Sequence, residues 1–208
     1  MTSFISFSKQ IKEILSTIVL SEKLHARWLN TLSFLENCGA RQIAACEHPT
    51  LVKEEMLKHA AEEFRHAHYL KRQIGRVSSE SIETYSRSNI LGETSTLHYL
   101  GALNIKTSRY LKSLGLSHNL IKEGAYLLVT YAIELRAEEL YPLYEEILRK
   151  ASSRVTVKSI LLEEKEHLLE MKEGLEKFPS GLHYAEKILS IESKLCKSWL
   201  DGLSKSIE

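Results

Sequence analysis

The sequence predicts an all-α fold, and three observations carry that expectation. Apolar residues recur at intervals of three and four along nearly the whole chain, no stretch alternates strictly enough for a strand, and only three prolines and nine glycines interrupt 208 residues. The acidic residues point the same way. All but one of the 27 are glutamates, which tolerate helix interiors better than aspartate, whose short side chain competes for the backbone. The length suits a single domain over residues 1–208.

Taken in order, Ser8 to about Leu20 reads as a short leading helix. A longer helix spans Ser21 to about Cys46 and stops near His48-Pro49, because a residue before proline avoids helical geometry. Thr50 is placed to cap a third helix running to about Gly75, and the polar "VSSESIETYSRSN" beyond it reads as irregular or weakly helical. A fourth helix covers Thr94 to Leu114 and ends at Gly115. Ser117 caps a long helix to about Lys150, with a kink expected before Pro142. "ASSR" separates it from a helix over Val155 to Phe178, and Pro179-Ser180-Gly181 introduces the last one.

Composition narrows the function classes. With 43% apolar and 26% charged residues the chain is globular rather than disordered. The net charge is +1, and the best basic group, Lys106, Arg109 and Lys112, is short enough to be a solvated helix face, so no nucleic-acid partner is expected. Lys9, Lys12 and Glu13 interrupt the N-terminal apolar run before it reaches the length of a signal peptide or membrane span. Cys38, Cys46 and Cys196 form no CxxC and leave an odd count, which fits small apolar roles in a reducing cytoplasm.

Four glutamates stand where an apolar residue belongs. In the third helix the stripe reads Val52, Met56, Ala60, Glu63, Ala67, Leu70, Ile74. In the sixth it reads Val157, Leu161, Glu164, Leu168, Met171, Leu175. Each of these glutamates is followed three residues later by a histidine, His66 and His167, on the same helix face about one turn away, a spacing that lets both members of a pair reach one metal ion. The preceding helices show the same interruption, Glu36 between Leu32 and Ile43, and Glu134 between Tyr131 and Tyr141. Glu36 and Glu63 straddle Pro49 almost evenly; the second pair is less symmetric about its turn, so Glu138, one turn beyond Glu134, competes for that role.

A lone Glu-x-x-His means little, and Glu22-x-x-His25 is of the kind that chance supplies. Two copies inside apolar stripes, each preceded by a stripe glutamate, point to a metal site, since buried carboxylates need a cation, a proton or a partner. Four carboxylates and two neutral imidazoles balance two divalent ions. The oxygen and nitrogen donors suit Fe or Mn and do not exclude Zn. Glu62 and Glu163, each one residue before a stripe glutamate, either accept the second N–H of a ligating histidine or form a solvated rim. His59, one turn before Glu63, reads as outer support, and Tyr69, Tyr131 and Tyr141 as packing. Arg65 reads as surface, and Gly39, Ala40 and Ala60 as small residues that leave room for a substrate or let helices pack closely.

The order Glu36, Glu63-x-x-His66, Glu134, Glu164-x-x-His167 resembles the ferritin-like di-iron carboxylate superfamily, and "AEEFRHA" and "LLEEKEHL" look like their counterparts in rubrerythrins and bacterioferritins. The resemblance covers about residues 21–178. It implies a four-helix bundle with a long crossover connection and additional helices, holding two iron ions, with manganese or a mixed Fe/Mn pair as variants. It also implies reaction with dioxygen or peroxide. Two Glu-x-x-His motifs depart from an ordinary ferritin subunit, and the absence of paired CxxC motifs removes the rubredoxin module of a full rubrerythrin. The long connection and the extra C-terminal helix look more like the superfamily's oxygenases. The expectation is therefore a di-iron enzyme oxidising a small organic substrate, with an external electron donor and compatible with a homodimer. The alternatives are ferroxidation with iron storage or detoxification, and a metal-free helical protein whose buried glutamates pair with Arg41, Arg65 or Arg136.

Overall fold

A computed structural model describes residues 4–48 and 50–208; Pro49, on which the expected end of the second helix rests, lies outside the described residues. The chain is all-helical, with seven helices and no strand among the described residues: α1 Ser8–Val19, α2 Glu22–Ala45, α3 Glu54–Gln73, α4 Glu93–Ser113, α5 His118–Lys150, α6 Lys158–Lys177 and α7 Gly181–Ile207. Two single 3-10 turns, Ile74–Arg76 and Arg87–Asn89, lie in the connection from α3 to α4, which is otherwise irregular as the sequence suggests.

Most helix ends follow from local chemistry. The Ser21 hydroxyl accepts from the Leu24 N–H and the Ser117 hydroxyl from the Leu120 N–H, so Ser117 caps α5 as expected and Ser21 caps α2 as well. Thr50 does not cap α3. The backbone N–H groups of Thr50 and Leu51 both donate to His48 Nδ1, at 3.3 and 3.1 Å, which holds the chain out of helical geometry until Lys53. α3 then starts with Glu54 and Glu55, whose charge suits the positive end of the helix, and Val52 drops out of the apolar stripe to 72% exposure. α5 continues through Pro142 to Lys150. At the start of α7 the chain passes so close to α6 that a Cβ on Gly181 would lie 2.3 Å from the Leu175 carbonyl oxygen.

Tertiary packing places two helix pairs around one interior. α2 lies along α3 and α5 along α6; α4 packs on α5 and α7, while α1 and α7 also lie against α5. The buried apolar residues form two clusters. One gathers Trp28, Leu29, Leu70, Tyr144, Ile160 and Trp199, and the other Ile43, Met56, Leu128, Met171, Leu175 and Ile188. On α2, α3, α5 and α6 the two clusters occupy opposite halves of each helix, and the interrupting glutamates fall between them. Hydrophobic burial on both sides, worth roughly 25 cal/mol per Å² of apolar surface, therefore holds the intervening polar residues in register.

Lys106, Arg109 and Lys112 are exposed, as a solvated face requires. All three cysteines are free; Cys196 is buried, whereas Cys38 and Cys46 are only half-buried. No helix among the described residues is long and apolar enough to cross a membrane.

Candidate metal centre

The structure brings Glu36, Glu63, His66, Glu134, Glu164 and His167 together between the two apolar clusters. Glu63, Glu134 and Glu164 are 5%, 3% and 4% exposed, and His66 and His167 are 2% and 1% exposed. Glu36 is only partly buried because it also lines a cavity. Glu138 is exposed on the outer side of α5, so Glu134 is the α5 glutamate that reaches the cluster.

The side chains fall into two groups that share Glu63. His59, Glu63, Glu134 and His167 form one, and Glu36, Glu63, His66 and Glu164 the other; within each, one donor atom per residue lies within 4.8 Å of all the rest. Glu63 turns a different oxygen to each side. Its Oε1 is 3.4 Å from His59 Nε2 and 3.3 Å from His167 Nδ1, while its Oε2 is 3.8 Å from His66 Nδ1. Glu164 sits with His66, its Oε1 3.1 Å from His66 Nδ1. The second Glu-x-x-His motif is thus divided between the groups, contrary to the expectation that both its members reach one ion. His59, expected to be outer support, stands inside the cluster.

The histidines are oriented by carboxylates on the opposite helix. His66 Nε2 donates to Glu163 Oε2 at 2.7 Å, and His167 Nε2 donates to Glu62 Oε2 at 2.9 Å. With Nε2–H engaged outward, each ring turns Nδ1 inward. Of the two readings left open for Glu62 and Glu163, the structure takes the histidine-holding one, with partners crossed between the helix pairs. Arg65 is not idle surface: its guanidinium donates to both oxygens of Glu163, at 2.9 and 2.8 Å, and so fixes the carboxylate that fixes His66. Tyr141, expected as packing, donates its hydroxyl to Glu36 Oε1. Tyr69 donates instead to the Thr156 carbonyl, outside the cluster.

Burial and like charge make the cluster costly without a cation. Burial, followed by the charges of Glu63 and Glu164, holds Glu36 well above the usual carboxylate range. Glu164 is raised in the same way, with Glu134 and Glu63 beside it. Burial, partly opposed by Glu164 and reinforced by Glu63 and Glu36, pushes Glu134 up to about 8. Burial works against ionisation of Glu63 as well, yet the imidazoles of His167, His59 and His66 hold it well below its ordinary value. Burial likewise opposes a charged His66, but Glu164 and Glu63 outweigh it and push the imidazole up to about 12.

The donor set fits a metal on one further observation. Glu63 Oε1, His66 Nδ1, Glu134 Oε2, Glu164 Oε1 and His167 Nδ1 are all buried without a hydrogen-bond partner. Several lie 3.1–3.3 Å from one another, close enough for hydrogen bonds but not aligned for them. Leaving so many buried polar atoms unsatisfied is expensive, at about 1–3 kcal/mol each. Arginine does not relieve the cost. Among the described residues, Arg136 pairs with Glu139 and Glu192, and Arg65 with Glu62 and Glu163. Among the described residues no lysine or arginine forms an ion pair with Glu36, Glu63, Glu134 or Glu164, so the salt-bridge alternative finds no support there.

One side of the cluster opens on a cavity of about 100 Å³ between α2, α4 and α5. Its walls are chiefly apolar, including Leu32, Ile43, Leu100, Val129 and Ile133, and Glu36, Glu63, Glu134 and Glu164 are among the polar residues that line it. Gly39 lines it, and a Cβ there would meet nothing within 4 Å. Ala40 and Ala60 are packed in the core and do not line it. The remaining histidines are ordinary: His25 is buried against the Tyr144 hydroxyl, and His48, His68, His98, His118 and His183 are exposed.

No protein-family model, curated protein or solved structure matches the chain, so the cluster's role has to be read from its own geometry.

Proposed function

We propose that the chain is a di-metal oxidoreductase of the ferritin-like type, in which α2, α3, α5 and α6 form the bundle, α4 belongs to the crossover connection, and two iron ions, or manganese in one or both positions, occupy the carboxylate and histidine cluster. The observation that carries this reading is the set of inward-facing, unpartnered atoms on Glu63, His66, Glu134, Glu164 and His167. Four glutamates would match two divalent ions in charge, and among the described residues no lysine or arginine forms an ion pair with them. When bound, an iron pair supplies activation of dioxygen or peroxide.

The chain's own residues do the rest. Glu63 turns one oxygen to each group and keeps the two positions adjacent. Tyr141 orients Glu36 through its hydroxyl and, because burial and the nearby charges of Glu36 and Glu164 hold its phenol well above the ordinary range, it remains a proton donor there. The chiefly apolar cavity gives a small organic molecule a place beside the cluster on the Glu36 side. That cavity favours oxidation of an organic substrate over ferroxidation and iron storage. An external electron donor would restore the reduced state.

Dioxygen uptake by the reduced, iron-loaded chain tests the choice. For an oxidase or oxygenase, added Fe(II) beyond two per chain is not consumed, and sustained uptake requires a reductant and an organic substrate. Continued uptake driven by Fe(II) alone, with growth of a mineral core, would replace this reading with iron storage.

A further inference from the structure

We infer that His59 is a seventh metal-ligating residue, and that it makes the two metal positions chemically unequal. The inference rests on the di-metal reading and adds a residue that the Glu, Glu-x-x-His pattern does not contain. His59 lies on α3 one turn before Glu63, so His59, Glu63 and His66 share one face at i, i+4 and i+7. It is 1% exposed.

The spacing of donor atoms supports direct ligation. An ion bound at about 2.1 Å by nitrogen and oxygen sets neighbouring donors about 3.0–3.5 Å apart, whether octahedral or tetrahedral. His59 Nε2 lies 3.2 Å from Glu134 Oε1 and 3.4 Å from Glu63 Oε1, and His167 Nδ1 lies 3.3 Å from the same Glu63 oxygen. His167 Nδ1 is 3.9 Å from Glu134 Oε1, the longest of these edges. The two rings lie side by side, with centroids 4.1 Å apart. His59 Nδ1 is 3.2 Å from the Tyr126 hydroxyl, which can hold an Nδ1–H and leave Nε2 as the inward lone pair.

One position then has two imidazoles with Glu63 and Glu134, and the other has a single imidazole, His66, with Glu36, Glu63 and Glu164. Imidazole donors suit Fe, Co and Zn, whereas carboxylate-rich sets suit Mn. The His59 position therefore fills first with Co(II) or Fe(II), and the His66 position is the one that accepts Mn(II) more readily.

Cobalt titration of the metal-free chain tests this in two ways. Wild-type protein should bind Co(II) in two unequal steps. His59→Gln should weaken the tighter step by more than the roughly 10–100-fold that loss of an outer partner produces, while Tyr126→Phe stays within that range. If His59→Gln does not fold, NMR of the wild-type protein loaded with two Co(II) still decides. Three exchangeable, strongly shifted imidazole N–H signals are expected, from His59 Nδ1–H, His66 Nε2–H and His167 Nε2–H. Two such signals, or a tighter step unaffected by His59→Gln, would overturn the role of His59 and leave the di-metal centre standing. No stoichiometric cobalt and no shifted signals would remove both.

Discussion

Replacing Glu134 by leucine should stabilise the metal-free protein at neutral pH and weaken the metal-loaded one. Glu134 is 3% exposed and its carboxyl is pushed up to about 8 from 4.5, so at pH 7 it stays protonated in the folded chain and ionises on unfolding. The sign follows directly. Below pH 4.5 the group is neutral in both states and contributes nothing; as pH rises toward 8 the folded state is progressively penalised. At pH 7 the gap is about 2.5 units, or about 3 kcal/mol at 1.36 kcal/mol per unit. Leucine has similar volume and removes that penalty, together with the unpartnered Oε2, but leaves His59 Nε2 without its 3.2 Å partner, a loss of about 1 kcal/mol. Glu134→Leu should therefore be about 2 kcal/mol more stable than wild type at pH 7, with the advantage vanishing near pH 4.5. Urea denaturation of metal-free protein across that range measures it. At a metal concentration 100 times Kd, binding adds about 2.7 kcal/mol to the wild type, and the variant should lose much of that gain. If metal-free Glu134→Leu were instead destabilised by about 3–5 kcal/mol, as when one member of a buried structural ion pair is removed, Glu134 would be a fold-holding residue rather than a ligand.

Further outcomes test other parts of the structure. His25, buried against Tyr144, is lowered to about 4, so stability should fall as pH drops from 6.5 toward 4, by about 3 kcal/mol in full; His25→Gln should flatten that limb of the urea midpoint against pH. Glu163→Ala and Glu62→Ala should each lower metal affinity by roughly 10–100-fold in competition with a chelator, through His66 and His167 respectively, and unchanged affinity would refute the crossed support. Gly39→Leu should fill part of the cavity and suppress organic oxidation while metal stoichiometry stays the same; equal loss of both would show that the substitution disturbs the cluster itself. Gly181→Ala should destabilise the fold by about 1–3 kcal/mol, read as a lower urea midpoint, because its Cβ meets the Leu175 backbone rather than a side chain that can move.

The helices were legible because the apolar spacing is long and few breakers interrupt it, and the glutamates stood out because each broke a stripe. Thr50 misled because capping propensity is local, while its own N–H and that of Leu51 are taken by His48. His59 carried a usable signal, its place on the Glu63 face one turn away, but its contact with Glu134 depends on how α3 meets α5. The crossed pairs Glu62 with His167 and Glu163 with His66 depend on the register between α3 and α6, which no single helix pattern encodes. The cavity arises similarly, from α4 meeting α2 and α5, and only Gly39 of the three small residues singled out in the sequence lies on it.

Anaerobic Fe(II) titration of the metal-free protein, read by Mössbauer spectroscopy, bears most directly on the proposed centre. Two irons per chain should bind in distinguishable environments, and Glu63→Ala should lose both, since Glu63 belongs to both groups. Failure of the correctly folded wild-type chain to bind stoichiometric Fe(II), Mn(II) or Co(II) would contradict the reading of this cluster as a metal centre.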